Sequence, residues 1–274
     1  MKIRTPTRRP RLLSVATLVV LSLSLFALPG CGTLDRMMSW VGLSDDAAPD
    51  TPDALVMRAM DAFNYGKYSD ALKLFEDLRD RYPFSRYSLL ADLKVADCQF
   101  FMDEYAAARP LYEEFESNHP TNEAIPYVMF QIGMCYYHQI GTIDRDTSGA
   151  VSAIQAFSRL VRTYPTSPYQ SEAQARIKAA RDFLARHEMY VAAFYVRTEE
   201  YSQAQGRLEY LLATYPEATV SPKANELLAA IKSGNAPQRS WKDWIPDISL
   251  PDWATFAGGL SVQKGPMGAS SGGE

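Results

Sequence analysis

The chain has 274 residues, a formal net charge of −4 and an apolar fraction of 47%, enough for one large or two small domains with a proper core. Acidic and basic residues are interspersed without a basic stripe, which excludes a nucleic-acid footprint. His119, His138 and His187 form no His-Glu-x-x-His frame, no cysteine pair has zinc spacing, and neither Gly-x-Ser-x-Gly nor a phosphate-cradling glycine loop occurs, so neither an enzyme nor a cofactor is expected.

The first segment, residues 1–30, has the make-up of a secretory signal peptide. Lys2, Arg4, Arg8, Arg9 and Arg11 are followed by an uncharged apolar run from Leu12 to Leu28. The alternative is an N-terminal membrane anchor, for which such a run is at the short limit of a ~30 Å bilayer core. The ending Leu28-Pro29-Gly30-Cys31 resembles the bacterial lipobox. That resemblance implies a mature N-terminus at Cys31 carrying acyl chains, palmitate among them, and three such chains anchor firmly. Gly32, where aspartate signals inner-membrane retention, is similar to an outer-membrane address. Residues 31–51, with Ser44-Asp45-Asp46-Ala47-Ala48-Pro49-Asp50, then read as a lipidated polar tether.

Residues 52–232 are organised by one repeated frame. It reads Tyr68–Ala71–Phe75–Leu78–Tyr82-Pro83, Tyr105–Ala108–Tyr112–Phe115–His119-Pro120, Ala150–Ala153–Phe157–Leu160–Tyr164-Pro165 and Tyr201–Ala204–Leu208–Leu211–Tyr215-Pro216. Spacings of three and four put these residues on one helix face. The proline cannot continue the helix and biases its predecessor away from helical dihedrals. Two residues beyond the first three prolines, Ser85, Asn122 and Ser167 are candidates to take orphan N–H groups of the next helix. Small residues mark the seam between paired helices: Ala59 with Ala71, Ala96 with Ala108, Gly133 with Ala153 and Ala192 with Ala204. The third spacing is longer and places an insertion around Gly141-Thr142-Ile143-Asp144-Arg145-Asp146. The scheme resembles the tetratricopeptide repeat and predicts an all-α superhelical solenoid of about ten helices in five pairs. They are expected near 53–65, 68–82, 86–102, 105–118, 123–139, 147–163, 168–185, 187–199, 201–214 and 219–232, with the pairing of the last four open.

Cys98 and Cys135 are equivalent positions in adjacent repeats. Stacked helix axes ~8–10 Å apart exceed the reach of a disulfide, so buried free thiols are expected. First helices of such pairs line the inner side of a solenoid. Their row offers Val56, Met60 and Phe63, then Leu93, Asp97 and Phe100, then Phe130, Met134 and Tyr137. This row is either part of the core or a groove that suits an extended apolar peptide with aromatic side chains. Residues 233–274, with Trp241, Trp244 and Trp253 among prolines and a Gly/Ser-rich end, break the helical period. They read as an extended or disordered tail, whose aromatic segment from Trp241 to Phe256 is either a strap on its own solenoid or a docking segment for a partner.

One ordered string is more specific than any single repeat. It comprises Asp144-Arg145-Asp146, Ala153, Phe157, Leu160-Val161, Tyr164-Pro165-x-Ser167-x-Tyr169, Ala173, Arg176, Asp182-x-Leu184-Ala185, Glu188, Val191-Ala192, Phe194-Tyr195, Tyr201, Ala204 and Tyr215-Pro216. With the lipobox and tether, it resembles the BamD lipoprotein family of the outer-membrane β-barrel assembly machine, over residues 31–232. The resemblance implies a non-catalytic scaffold on the periplasmic face of the outer membrane, held there by its lipid anchor. It implies docking of the C-terminal repeats on a periplasmic domain of the barrel subunit BamA, association with other lipoproteins of the machine, and reception of unfolded outer-membrane proteins by the N-terminal repeats. It points to Arg197, Glu199, Glu200 and Tyr201 for partner binding, although glycine is absent from this run where the family often has it. Rival readings are a lipoprotein scaffold for secretin assembly or cell-wall coordination, a cell-wall hydrolase or its activator, and a solute-binding protein.

Overall fold

A computed structural model describes residues 51–237 and 241–258. Among them are nine α-helices and no strand: α1 Pro52–Asn64, α2 Tyr68–Arg81, α3 Ser88–Phe101, α4 Tyr105–Asn118, α5 Ile125–His138, α6 Ser148–Thr163, α7 Gln170–Arg197, α8 Tyr201–Thr214 and α9 Ser221–Lys232. From Leu55 onward the described residues belong to one compact unit. From α2 on, each helix packs against its neighbour in the chain, as a tetratricopeptide-like solenoid requires. No described helix is long and apolar enough to cross a membrane.

The frame residues account for this stacking. Ala, bulky and bulky at the three inner positions of α2, α4, α6 and α8 are all at most 3% exposed. Each of these helices ends in the same way. Tyr82, His119, Tyr164 and Tyr215 take φ near −130°, outside the helical region as the following proline demands, while their N–H groups still reach the carbonyls of Leu78, Phe115, Leu160 and Leu211. Ser85, Asn122 and Ser167 accept the N–H two residues on (3.3, 2.8 and 3.2 Å), closing the turn just before each helix instead of capping it. The next helix therefore starts at Ser88, Ile125 or Gln170, two residues later than expected. The fourth turn has Ala218 in that slot, and there Asp182 of α7 reaches over to accept the Thr219 N–H at 2.6 Å.

The other helices stop by a different device. Gly66, Asp103, Glu199 and Gly234 adopt φ of 73°, 62°, 61° and 74°. In all four places the paired bonds of a Schellman cap follow, for example Glu199 N–H to Val196 and Glu200 N–H to Tyr195. Only α5 lacks such a cap and runs into the insertion. Ile143 of that insertion is fully buried in the central core, and Asp146 accepts both the N–H and the hydroxyl of Ser148 at the start of α6.

The chief departure from the sequence reading is α7. Helices expected at 168–185 and 187–199 are one continuous helix of 28 residues, ~42 Å long. Leu184-Ala185-Arg186-His187-Glu188 contains neither proline nor glycine, so no local element can stop the helix. What changes at this point is the core. The central apolar cluster ends at Leu184 and a C-terminal cluster begins at Ala185. Thus the first half of α7 packs on α6 and the second half pairs with α8, which settles the open pairing without a break in the backbone.

The described part of the tail packs along α7. Trp241–Trp244 and Trp253–Phe256 are short 3-10 turns, the second capped by Asp252, which accepts the Ala254 N–H at 2.9 Å. Trp244 rests on the C-terminal cluster, and Leu250, Trp253 and Phe256 on the central one. The segment from Trp244 to Ala257 is therefore a strap.

Candidate functional site

The expected groove row is brought together by α1, α3 and α5, but much of it faces inward. Val56, Phe100, Phe130, Met134 and Tyr137 are each at most 7% exposed. Met60, Phe63 and Leu93 are half-buried at the edges of the first and central clusters. The Phe63 ring meets Tyr68 edge-on at 5.4 Å and Phe101 at 5.5 Å, with the Lys94 ammonium 4.2 Å from its centre. Phe130 lies between Phe157 and Tyr169, at 5.6 and 5.2 Å. Rings at helical spacing serve packing first, and the accessible face of the row lies around Met60, Phe63 and Leu93. Cys31 lies outside the described residues.

Asp97, which the row also contained, is a buried hub. Its Oδ1 accepts the hydroxyls of Tyr112 (2.7 Å) and Tyr127 (2.8 Å), and its Oδ2 the Lys94 ammonium (2.8 Å), so one carboxylate ties α3 to α4 and α5. Burial, reinforced by the Asp97 charge, pushes the Tyr112 and Tyr127 hydroxyls far above the ordinary tyrosine range. Asp182 plays the same part in α7, accepting from Arg186 at 2.8 Å and from Thr219. The signal for the first hub was a carboxylate between apolar neighbours, Ala96-Asp97-Cys98; Asp182 follows Arg181 and carried no such signal. His138 stacks on Tyr105 at 4.5 Å, and burial, then Arg176, holds its pKa below the usual value, as suits a neutral packing ring. Cys98 and Cys135 are free and buried. Among the described residues no group of three or more His, Cys, Asp or Glu is placed to hold a metal ion.

The α7–α8 turn gathers the second expected set. Arg197 ends α7 with its guanidinium 4.8 Å from the centre of the exposed Phe194 ring. Glu199 occupies the left-handed position that Gly66 holds in the first repeat, so the turn keeps its backbone shape without glycine. Glu200 precedes α8, and Tyr201 opens it with its ring against the C-terminal cluster. Beside them a small cleft of about 80 Å³ is lined by Tyr190, Phe194, Arg197 and Ile245. Sequence reasoning missed Phe194 and Tyr190 as surface groups, and Arg176 as a platform. The Arg176 guanidinium is 5.0 Å from the Tyr137 ring centre and 4.4 Å from that of Trp253.

The two regions combine aromatic, cationic and carboxylate groups at the surface. The model of the YfiO family, described as outer membrane lipoprotein, matches residues 49–237, from just before α1 to beyond α9. The chain is 31% identical to outer membrane protein assembly factor BamD of Vibrio cholerae, over 67% of this chain and 81% of that protein. It is 29% identical to the protein of the same name from Neisseria gonorrhoeae (80% of this chain, 86% of that one). It is 26% identical to that of Xylella fastidiosa strain Temecula1 (96% and 98%). With the family model covering well over half its length, the chain belongs to the YfiO family of outer membrane lipoproteins.

Proposed function

We propose that the protein is a non-catalytic scaffold for the assembly and insertion of β-barrel proteins into the outer membrane, lipid-anchored through Cys31 and facing the periplasm. The observation that carries this reading is the match, across the whole solenoid, to relatives named outer membrane protein assembly factors. Two surfaces divide the work. The accessible face around Met60, Phe63 and Leu93 receives aromatic-bearing segments of unfolded barrel proteins. Its half-buried rings and the Lys94 ammonium give such segments apolar and cation–π contacts. The turn formed by Arg197, Glu199, Glu200 and Tyr201, with exposed Phe194 beside it, docks on the periplasmic domain of the barrel subunit BamA. An arginine on an exposed ring within a charged rim has the composition of an interface anchor. Other lipoproteins of the machine are further partners.

Photo-cross-linking in cells from Met60, Phe63, Phe194 and Arg197 tests the division. Unfolded barrel proteins are expected from the first two positions and the barrel subunit from the last two. Capture of secretin or cell-wall proteins in their place would favour a scaffold for another envelope machine. Replacing Cys31 by serine is expected to release the protein from membranes.

A further inference from the structure

The strap is held unlike any other part of the fold. Of its residues from Trp244 to Ala257 only Ala257 is buried, whereas every solenoid helix contributes at least three buried residues. Its ties are those of a bound peptide: Ile143 N–H donates to the Ile248 carbonyl at 3.1 Å, and the Lys223 ammonium to that of Asp243. Side chains at every third position, Leu250, Trp253 and Phe256, rest on the central cluster. Beneath Trp253 lies a prepared platform. Glu172 holds two nitrogens of Arg176 at 3.0 and 2.7 Å; the residue is only 7% exposed, with its guanidinium over Tyr137 on one contact and Trp253 on the other. Among the described residues the buried Tyr137 hydroxyl has no hydrogen-bond partner. Phe256 also borders a cleft of about 620 Å³ with Lys178, Arg181, Asp182, Tyr215 and Pro216 on its walls.

We propose that the strap is the resident, exchangeable occupant of a docking trough for an extended peptide segment that carries an aromatic side chain, and that strap and segment exclude each other. The incoming ring takes the place of Trp253 on Arg176, a carbonyl of its backbone accepts the idle Tyr137 hydroxyl, and the open cleft beside Phe256 is where displacement starts. This rests on the reading of the protein as a receiver of unfolded chains, and it adds a gate to that role.

The test uses the mature chain, the same chain ended after Pro237, and the full chain carrying Trp253→Ala with Phe256→Ala, which loosens the strap without deleting it. Melting temperatures establish that each is folded. The probe is a labelled peptide from an outer-membrane barrel strand with alternating aromatic residues, beside its counterpart with alanine at each aromatic position. Fluorescence anisotropy is expected to show at least tenfold tighter binding to both altered chains than to the mature chain. Binding should be lost with the alanine counterpart and with Arg176→Met, and should be competed by a free peptide of residues 247–258. Equal affinity with and without the strap, or equal binding of the alanine counterpart, overturns the proposal. A scrambled peptide separates the two readings. If it binds as tightly as the barrel strand, and only when the strap is absent, the gated trough stands and the barrel-client reading loses support.

Discussion

One substitution, glycine to alanine, should have opposite effects at two helical positions of this protein. At Gly133 in α5 an added Cβ would lie 2.5 Å from Cδ1 and Cε1 of Phe157 and 2.9 Å from its Cζ. The Phe157 ring is fully buried, with Phe130 at 5.6 Å and Tyr137 at 6.3 Å, so it cannot turn aside without moving both. Overpacking of this kind costs ~1–3 kcal/mol, against a helix gain of ~0.5–1 kcal/mol from replacing glycine. Gly133→Ala is therefore expected to destabilise by about 1–2 kcal/mol, lowering the melting temperature by ~2–8 °C for a chain of this size. At Gly206 in α8 nothing lies within 4 Å of the added Cβ. There the helix term acts alone, and Gly206→Ala should stabilise by ~0.5–1 kcal/mol. Thermal unfolding followed by far-ultraviolet circular dichroism reads both. Adding Phe157→Leu to Gly133→Ala should cost less than Phe157→Leu does alone, because the two residues compete for one space. If Gly133→Ala raised the melting temperature as Gly206→Ala does, the close approach of α5 to α6 deduced from this contact would be wrong.

Glu199→Gly and Asp103→Gly should each stabilise by ~1 kcal/mol, since φ near +60° is unfavourable for residues with a Cβ; a fall in the urea midpoint would contradict this. Asp97→Ala leaves the buried Tyr112 hydroxyl and the Tyr127 hydroxyl without their shared acceptor and is expected to cost about 3 kcal/mol in urea unfolding, so a near-neutral effect would show that the hub is not a support. Because burial keeps those two hydroxyls protonated in the fold, while in the unfolded chain they ionise near pH 10, their contribution is whole below about pH 10 and is lost as pH rises further; a flat urea midpoint between pH 9 and pH 11 would refute it. Burial pushes the Cys98 and Cys135 thiols up to about 12, so a thiol reagent at neutral pH should label them only at the rate of unfolding, and immediate labelling of the native protein would count against the burial.

The repeats were legible in the order of residues alone. An apolar residue every three or four positions can only be buried along a helix face, and an aromatic-proline pair can only end that helix, so all twelve inner frame positions are core and all four caps share one geometry. The insertion and the buried thiols were legible from the spacing of the repeats, whereas Ser85, Asn122 and Ser167 close the turn before the helix instead of capping it. Tertiary structure decided what depends on residues far apart in the chain. The fusion in α7 turns on which of two clusters each half can join, and Ala185 gives no local sign that the core changes there. The face of an aromatic residue is equally undetermined by spacing. Phe130 and Tyr137 look alike as core or groove until Phe157, Tyr169 and Arg176 are set beside them. The strap is the clearest case, because its hold on Arg176 joins residues 77 positions apart, and a contact of that range is fixed by packing and by no period in the sequence.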